Sequence, residues 1–349
     1  LPHNYISVIV SKVMKNTIVA VIGGGAWGTA LANLLGEKGI KVNLWVYESD
    51  LCRIIEEKKE NTFFLPGAKL SKNISPYTSM KDASDGVRIF IIASPSHVLR
   101  GILNSLKEHL PKDVIIVSVT KGIENDTLKL PSQIFDEMLP KEIYNRSAYL
   151  SGPTFAKEVI NKLPTAATIA TKDSTTAEHI QSLFNTPYFR IYTHSDILGV
   201  EIGGAIKNVI AIAAGASDGL GFGNSARAAL ITRGLAEMVR LGVAMGADPV
   251  TFTGLSGIGD LVLTCTGDLS RNRTVGFKLG QGMKLDVILK DMRMVAEGVK
   301  TTKSAYELGK KHRVELPIIN EVYAILYEGK NPKDAVVNLM GRSLKKEFQ

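Results

Sequence analysis

Residues 18–28 read Ile-Val-Ala-Val-Ile-Gly-Gly-Gly-Ala-Trp-Gly, and Thr29-Ala-Leu-Ala-Asn-Leu-Leu-Gly follows. A β-branched run that breaks into Gly23-x-Gly25-x-x-Gly28 and resumes as an Ala/Leu-rich segment reads as strand, tight turn, helix. The N-terminus of a helix offers unpaired N–H groups and the positive end of its dipole, and glycines let a pyrophosphate approach that backbone closely. Two other glycine clusters, Gly219-x-Gly221-x-Gly223 and Gly254-x-x-Gly257-x-Gly259, follow no convincing strand. Only the first is followed by a second strand-like run, Lys41-Val-Asn-Leu-Trp-Val-Tyr, ending at Glu48. That is about 20 residues on, where an acid that reads a ribose is expected. The first glycine loop is therefore the expected dinucleotide site.

Working outward, apolar strand-like runs alternate with helical ones as far as Thr193, the pattern of a doubly wound sheet. Expected strands are Thr17–Ile22, Lys41–Tyr47, Val87–Ala93, Asp113–Val119, Ala148–Ser151 and Ala166–Ala170. Ligands of such sheets bind beyond the carboxyl ends of the strands. Three further turns fall on that rim: Ala93-Ser-Pro-Ser-His97, Thr120-Lys121-Gly122 and Ser151-Gly152-Pro153-Thr154-Phe155-Ala156. After Thr193 the periodicity turns helical. The expected fold class is α/β, with an N-terminal Rossmann-type sheet domain over 14–194 and a C-terminal, mostly helical substrate-binding domain over 195–349.

Composition agrees with two globular domains. The chain has 349 residues, 45% hydrophobic and 22% charged, long enough for two cores. No apolar stretch free of charge or turn residues approaches the ~18–20 that a membrane span needs, so a soluble protein without an integral membrane segment is expected. Cys52 and Cys265 are the two cysteines; far apart and in no CxxC pair, they suggest neither a disulfide framework nor zinc, and a reducing cytoplasm fits best. Ile6-Ser-Val-Ile-Val is too short for a signal-peptide core, and Met14 reads as the natural start, with residues 1–13 an extension. The net charge of +8 raises nucleic acid as a partner, but the basic residues are scattered and not interleaved with aromatics, which argues against it.

In the helical half, Val200-Glu-Ile-Gly-Gly-Ala-Ile-Lys207-Asn-Val-Ile-Ala-Ile-Ala-Ala-Gly is rich in Gly and Ala, which suits close backbone packing, yet carries a lysine. Helical spacing could turn Lys207 to solvent. Facing inward, a poorly hydrated amine could exchange a proton near neutral pH. Asp260 precedes an apolar run and reads either as a helix N-cap or as the partner of Lys207. Ser270 opens an expected helix whose start, with Arg271, Asn272 and Arg273, has the makings of a phosphate site; a capped, solvated helix start is the alternative. No cluster has metal-ligand spacing, and His97 and His194 read as structural or rim residues.

The motifs Gly23-Gly-Gly-Ala-Trp-Gly-Thr-Ala, Thr120-Lys-Gly, Ser151-Gly-Pro-Thr-Phe-Ala, Gly204-Ala-Ile-Lys-Asn-Val-Ile-Ala, Gly259-Asp-Leu and Ser270-Arg-Asn-Arg, in this order, resemble the bacterial-type NAD(P)-dependent sn-glycerol-3-phosphate dehydrogenases. The resemblance runs from about Lys15 to Gly341 and implies a Rossmann domain, a helical domain and a reaction in the cleft between them. It implies reversible reduction of dihydroxyacetone phosphate to sn-glycerol 3-phosphate with NAD or NADP, the product feeding glycerophospholipid synthesis. Lys207 matches the proton-transferring lysine, Lys121 a lysine touching both cofactor and substrate, and Asp260 a further residue of the reaction centre. Gly152, Thr154, Asp260, Ser270, Arg271 and Asn272 match substrate-binding positions. Gly23, Gly25, Ala26, Trp27, Gly28, Tyr47, Ala156, Val295 and Glu297 match cofactor positions, with Arg271 reaching the nucleotide as well.

Where the family varies, after the second strand, this chain has Tyr47-Glu48 and then Arg53. An acid at Glu48 favours NADH and Arg53 could pair with the 2′-phosphate of NADPH, unless it is solvated or paired with Glu56 or Glu57. The use of both cofactors is the expectation. The apolar helical domain makes a homodimer the expected assembly. Another two-domain hydroxy-acid dehydrogenase, or a nucleotide-binding protein without catalysis, would share the glycine loop but need not share the Ser-Gly-Pro-Thr and Ser-Arg-Asn-Arg pair.

Overall fold

The β-branched runs pair into one sheet. In the computed structural model, which describes residues 17–292, 295–344 and 346–347, eight strands lie in the order β3-β2-β1-β4-β5-β6-β7-β8. They are β1 Ile18–Ile22, β2 Lys41–Trp45, β3 Ile74–Tyr77, β4 Ile89–Ile92, β5 Ile115–Ser118, β6 Ala148–Ser151, β7 Thr165–Ala170 and β8 Phe189–His194. All pairs are parallel except β6 with β7. Met14 and the preceding extension lie outside the described residues.

The period of two along the central strands gives the sheet two cores. Val19 and Val21 of β1, with Ile89 and Ile91 of β4, enter one layer with the helices Ala26–Glu37 and Ser49–Lys58. Ala20 and Ile22, with Phe90 and Ile92, enter the other with Leu99–Leu106 and Pro131–Met138. Strands buried on both faces need apolar residues at every position, as β1 and β4 have. The strand order reverses between β1 and β4, so the loop after β1 leaves the sheet at its topological switch point.

Two edge elements differ from expectation. β3 carries Pro76 and β8 alternates buried and exposed residues, and neither was among the expected strands. Proline is tolerated at an edge because one side of the strand donates to no neighbour, and an edge that faces water lacks the continuous apolar run.

The chain parts into two compact units, one reaching to Lys121 and resuming over Lys129–Glu201, the other comprising Gly122–Leu128 and the chain from Ile202 onward. A division at residue 194 does not anticipate the Gly122–Leu128 excursion. In the second unit every element among the described residues is helical, including Asn224–Met245, Asp260–Thr266, Arg271–Gly280, Glu297–His312 and Pro317–Tyr327. The helix Ile197–Gly219 has the length and apolar composition of a membrane span, but 89% of its most apolar stretch is buried inside the protein. Small residues let it cross Arg271–Gly280 at backbone contact: a Cβ on Gly276 would sit 2.0 Å from the Ile212 carbonyl oxygen, and one on Gly215 2.0 Å from that of Arg273.

Candidate active site

The glycines at the three positions of the Gly23-x-Gly25-x-x-Gly28 pattern meet different demands. Gly23 has φ +127°, donates to the Trp45 carbonyl at 3.1 Å, and a Cβ there would lie 2.6 Å from the Ala93 carbonyl oxygen. At Gly28 a Cβ would strike the Gly23 carbonyl oxygen at 2.0 Å. Turn geometry and packing thus require both. Gly25 is different: its φ is −69° and a Cβ would meet no protein atom within 4 Å. Nothing in the chain demands a glycine there, but a pyrophosphate lying against the helix N-terminus would. Ala26 and Trp27 open that helix. The indole of Trp27 packs on the core near Phe189, and its buried Nε1–H has no hydrogen-bond partner among the described residues.

After β2, Tyr47 is 80% exposed with its ring edge-on to Trp45. Glu48 is half-buried and stands before the helix Ser49–Lys58 without capping it through its side chain. Arg53 pairs with Asp50 at 3.6 Å, rather than with Glu56 or Glu57, and Glu56 engages Lys59. Both partners of the Arg53 pair are exposed, so the contact is weak.

A second group lies on the same rim. Thr120 Oγ1 donates to the Ser94 carbonyl at 2.8 Å, joining the ends of β4 and β5. Lys121 Nζ then donates to the Gly152 carbonyl at 2.9 Å and reaches Thr154 Oγ1 at 3.5 Å. Gly152, with φ +142°, turns the chain against Ala167, where a Cβ would not fit. Ala156 begins the following helix, Ala156–Ile160. His194 Nδ1 accepts the Asp196 N–H at 2.9 Å, a turn-holding bond.

In the helical unit Lys207 faces inward. Its Nζ pairs with Asp260 Oδ1 and donates to Thr264 Oγ1 at 3.0 Å, with Lys207 6% and Asp260 0% exposed. Asp260 is the first residue of its helix, the N-cap position being Gly259, and its carboxylate pairs with Lys207, the second of the two readings left open by local sequence. Thr264, one turn on, donates to the Asp260 carbonyl at 2.6 Å, so its lone pairs face Lys207. The adjacent Cys265 is buried, which pushes its thiol up to about 12 and keeps it neutral.

Asn208, beside Lys207, links this pair to the helix Arg271–Gly280. Asn272 Nδ2 donates to Asn208 Oδ1 at 2.8 Å, and Asn272 Oδ1 accepts the Gly298 N–H at 2.9 Å. Ser270 caps the helix, its Oγ accepting from the Arg273 N–H at 3.2 Å. Arg271 donates to the Val295 carbonyl at 2.9 Å, which brings Arg271, Val295 and Glu297 together. Desolvation draws the Arg271 pKa below the usual arginine value and Glu297 opposes this; a guanidinium stays charged at any physiological pH. Arg273 is committed to Asp218 at 2.9 Å and Asp268 at 3.0 Å. Of the two arginines read from sequence as anion forks, Arg273 is held in ion pairs within the fold, while Arg271 stands at the helix start bonded to the Val295 carbonyl.

Three residues in these groups escaped the reading of the sequence. Thr264 could have been found, because it lies four residues from Asp260 and so on the same helical face. Asn208 adjoins Lys207 and carried no signal of its own. Asn61, which touches the glycine loop, is a polar residue in an irregular segment.

The chain matches the NAD-dependent glycerol-3-phosphate dehydrogenase N-terminus over residues 18–177 and the C-terminus of the same family over 196–337. It belongs to this family. A glycerol-3-phosphate dehydrogenase [NAD(P)+] of Syntrophotalea carbinolica is 56% identical over 330 residues, covering 95% of this chain and 99% of that protein. One of Citrifermentans bemidjiense is 56% identical over 329 residues, 94% of this chain and 98% of that protein. The crystal structure of the glycerol-3-phosphate dehydrogenase of Coxiella burnetii superposes with a TM-score of 0.90 at 37% identity, covering 93% of this chain and 99% of that one. In the glycerol-3-phosphate dehydrogenase family, then, the present chain has its glycine loop at the switch point of the sheet and a buried lysine–aspartate pair in the helical unit.

Proposed function

We propose that the protein reduces dihydroxyacetone phosphate to sn-glycerol 3-phosphate, reversibly and with NADH or NADPH, and so supplies glycerophospholipid synthesis. The buried Lys207–Asp260 pair carries this reading. A binding protein has no use for an ammonium taken out of water, which costs several kcal/mol per ion before pairing recovers it; a proton-transfer centre does. When bound, the nicotinamide donates hydride to C2 of the substrate or accepts it from there.

As negative charge grows on the former carbonyl oxygen, Lys207 delivers a proton to it from Nζ. Asp260 and Thr264 hold that nitrogen, and Asp260 then faces a neutral amine instead of an ammonium. In the reverse direction neutral Lys207 takes the proton of the 2-hydroxyl. Lys121 adds positive charge near the substrate, with Gly152 and Thr154 fixing its direction. Arg271 grips the phosphate through its planar fork, which a flexible ammonium cannot copy. Ser270 and Asn272 keep that helix start in place. The glycine loop, Ala26, Trp27, Tyr47, Ala156, Val295 and Glu297 bind the nucleotide. A homodimer in the cytoplasm completes the reading, and analytical ultracentrifugation tests the assembly.

The deciding experiment follows NADH and NADPH oxidation with dihydroxyacetone phosphate and with a panel of other carbonyl compounds. Turnover with dihydroxyacetone phosphate far above the rest is expected; preference for a hydroxy-acid precursor, or no turnover at all, would refute the proposal. Arg53→Ala should lower kcat/KM with NADPH selectively, since Arg53 is held by nothing stronger than an exposed ion pair. An unchanged preference would make Arg53 a surface residue.

A further inference from the structure

We infer that Asn61 is a positioning residue for the cofactor, holding the second peptide of the glycine loop in its binding orientation. The inference rests on the reading above, that the loop binds a nicotinamide dinucleotide. Asn61 is fully buried and uses both hydrogens of its amide on the loop: Nδ2 donates to the Gly24 carbonyl at 2.8 Å and to Thr29 Oγ1 at 2.8 Å. Thr29 Oγ1 lies 3.3 Å from the same carbonyl and donates to it. Asn61 Oδ1 accepts the Phe64 N–H at 2.9 Å, which fixes which end of the amide is which.

The consequence follows from the planarity of the peptide. In a trans peptide the C=O and the N–H point to opposite sides. Two donors holding the Gly24 carbonyl toward Asn61 therefore turn the Gly25 N–H away from it. Gly25 is the residue whose Cβ would meet open space, and its N–H is one of those an anion at the helix N-terminus would use. A Gly-Gly peptide flips readily, because neither residue has a side chain to resist it. Without Asn61 the longer Thr29 contact is what remains among the described residues to resist the flip. The segment from Glu60 to Gly67 holds Asn61 in turn, with the Leu65 N–H on the Asn61 carbonyl and the Gly67 N–H on Glu60 Oε1.

The test is Asn61→Asp and Asn61→Leu, both near-isosteric and both without the two donors, compared with Thr171→Val. Thr171 is also buried, in the same unit, and donates to the Ser147 carbonyl at 2.9 Å, outside the loop. Dissociation constants for NADH and NADPH are measured by nucleotide fluorescence alongside Tm and KM for dihydroxyacetone phosphate. Losing a buried donor pair should weaken nucleotide binding about tenfold or more in each Asn61 variant that folds. The KM for dihydroxyacetone phosphate at saturating nucleotide should stay within about twofold, and Thr171→Val should lower Tm alone. If neither Asn61 variant folds, Thr29→Val, which removes the shared partner, should show a smaller loss of the same kind. Wild-type nucleotide affinity in a folded variant would overturn the inference. Failure of the wild-type protein to bind either nucleotide would instead overturn the function on which it rests.

Discussion

Removing Lys207 does two separable things. On the proposed mechanism it takes away the proton donor, and it also removes the ammonium with which the fully buried Asp260 carboxylate pairs. Stranding a buried carboxylate costs about 3–5 kcal/mol, whereas replacing both partners together is close to neutral. Lys207→Ala should therefore lose at least ~10² in kcat and a large part of its stability as well. The double variant Lys207→Met, Asp260→Asn should regain the Tm and none of the activity. A folded Lys207→Ala protein that kept most of its kcat would end the assignment. Arg271 makes a different kind of prediction, because its charge is replaceable and its geometry is not. Arg271→Lys should raise the KM for dihydroxyacetone phosphate by roughly tenfold or more, loss of a charge-assisted bond being about 1.5–3 kcal/mol. It should change turnover of unphosphorylated dihydroxyacetone far less. Equal losses on both would make Arg271 structural.

At the scale of elements, the crossing of Ile197–Gly219 with Arg271–Gly280 sets the site. It brings Asn272 onto Asn208 and so fixes the start of one helix beside the lysine of the other. Two effects compete when Gly276 becomes alanine. Helix propensity gains about 1 kcal/mol, but the new Cβ meets a backbone oxygen at 2.0 Å, and overpacking costs about 1–3 kcal/mol, more where backbone must move. The clash should win. Gly276→Ala should lower Tm and, by displacing Ser270–Asn272, raise the substrate KM with nucleotide binding kept; a stabilised variant would show that the crossing is looser than described. The strands show what a sequence can reveal about such elements. β1 and β4 are legible because central strands buried on both faces leave no polar position. β3, with Pro76, and β8, half wet, are edges, and an edge needs no such pattern. The site was legible where chemistry is local, as in the glycine loop. It was open where the partner lies far along the chain, as for Lys207 and Asp260, and silent at Asn61, whose work is done on a backbone carbonyl 37 residues away.

At the scale of the whole molecule, each unit buries a glutamate, Glu201 in the first and Glu237 in the second, and both contribute to how stability responds to pH. In the first unit Glu201 accepts the Ser132 N–H at 2.9 Å and its hydroxyl, yet burial pushes its pKa up to about 8. In the second, Glu237 accepts the N–H groups of Ile318 and Ile319 at the start of the helix Pro317–Tyr327, and burial raises it to about 7. An unfolded chain releases these protons near pH 4.5, the ordinary value. Between that pH and the raised pKa the folded state holds more protons than the unfolded one, so stability falls as pH rises. The stabilising contribution is complete below about pH 4.5 and lost on passing about pH 7 for Glu237 and about pH 8 for Glu201. Glutamine cannot release a proton, so the difference in unfolding free energy between wild type and Glu201→Gln should slope by about 1.4 kcal/mol per pH unit across that window. It should level off above it. Glu237→Gln should do the same over the shorter window, and where urea resolves two transitions each variant should move that of its own unit. A difference that stays flat from pH 4 to pH 9, roughly the window the linkage relation defines, would mean that both acids are already ionised in the folded protein. Their hydrogen bonds from Ser132, Ile318 and Ile319 would then have outweighed burial.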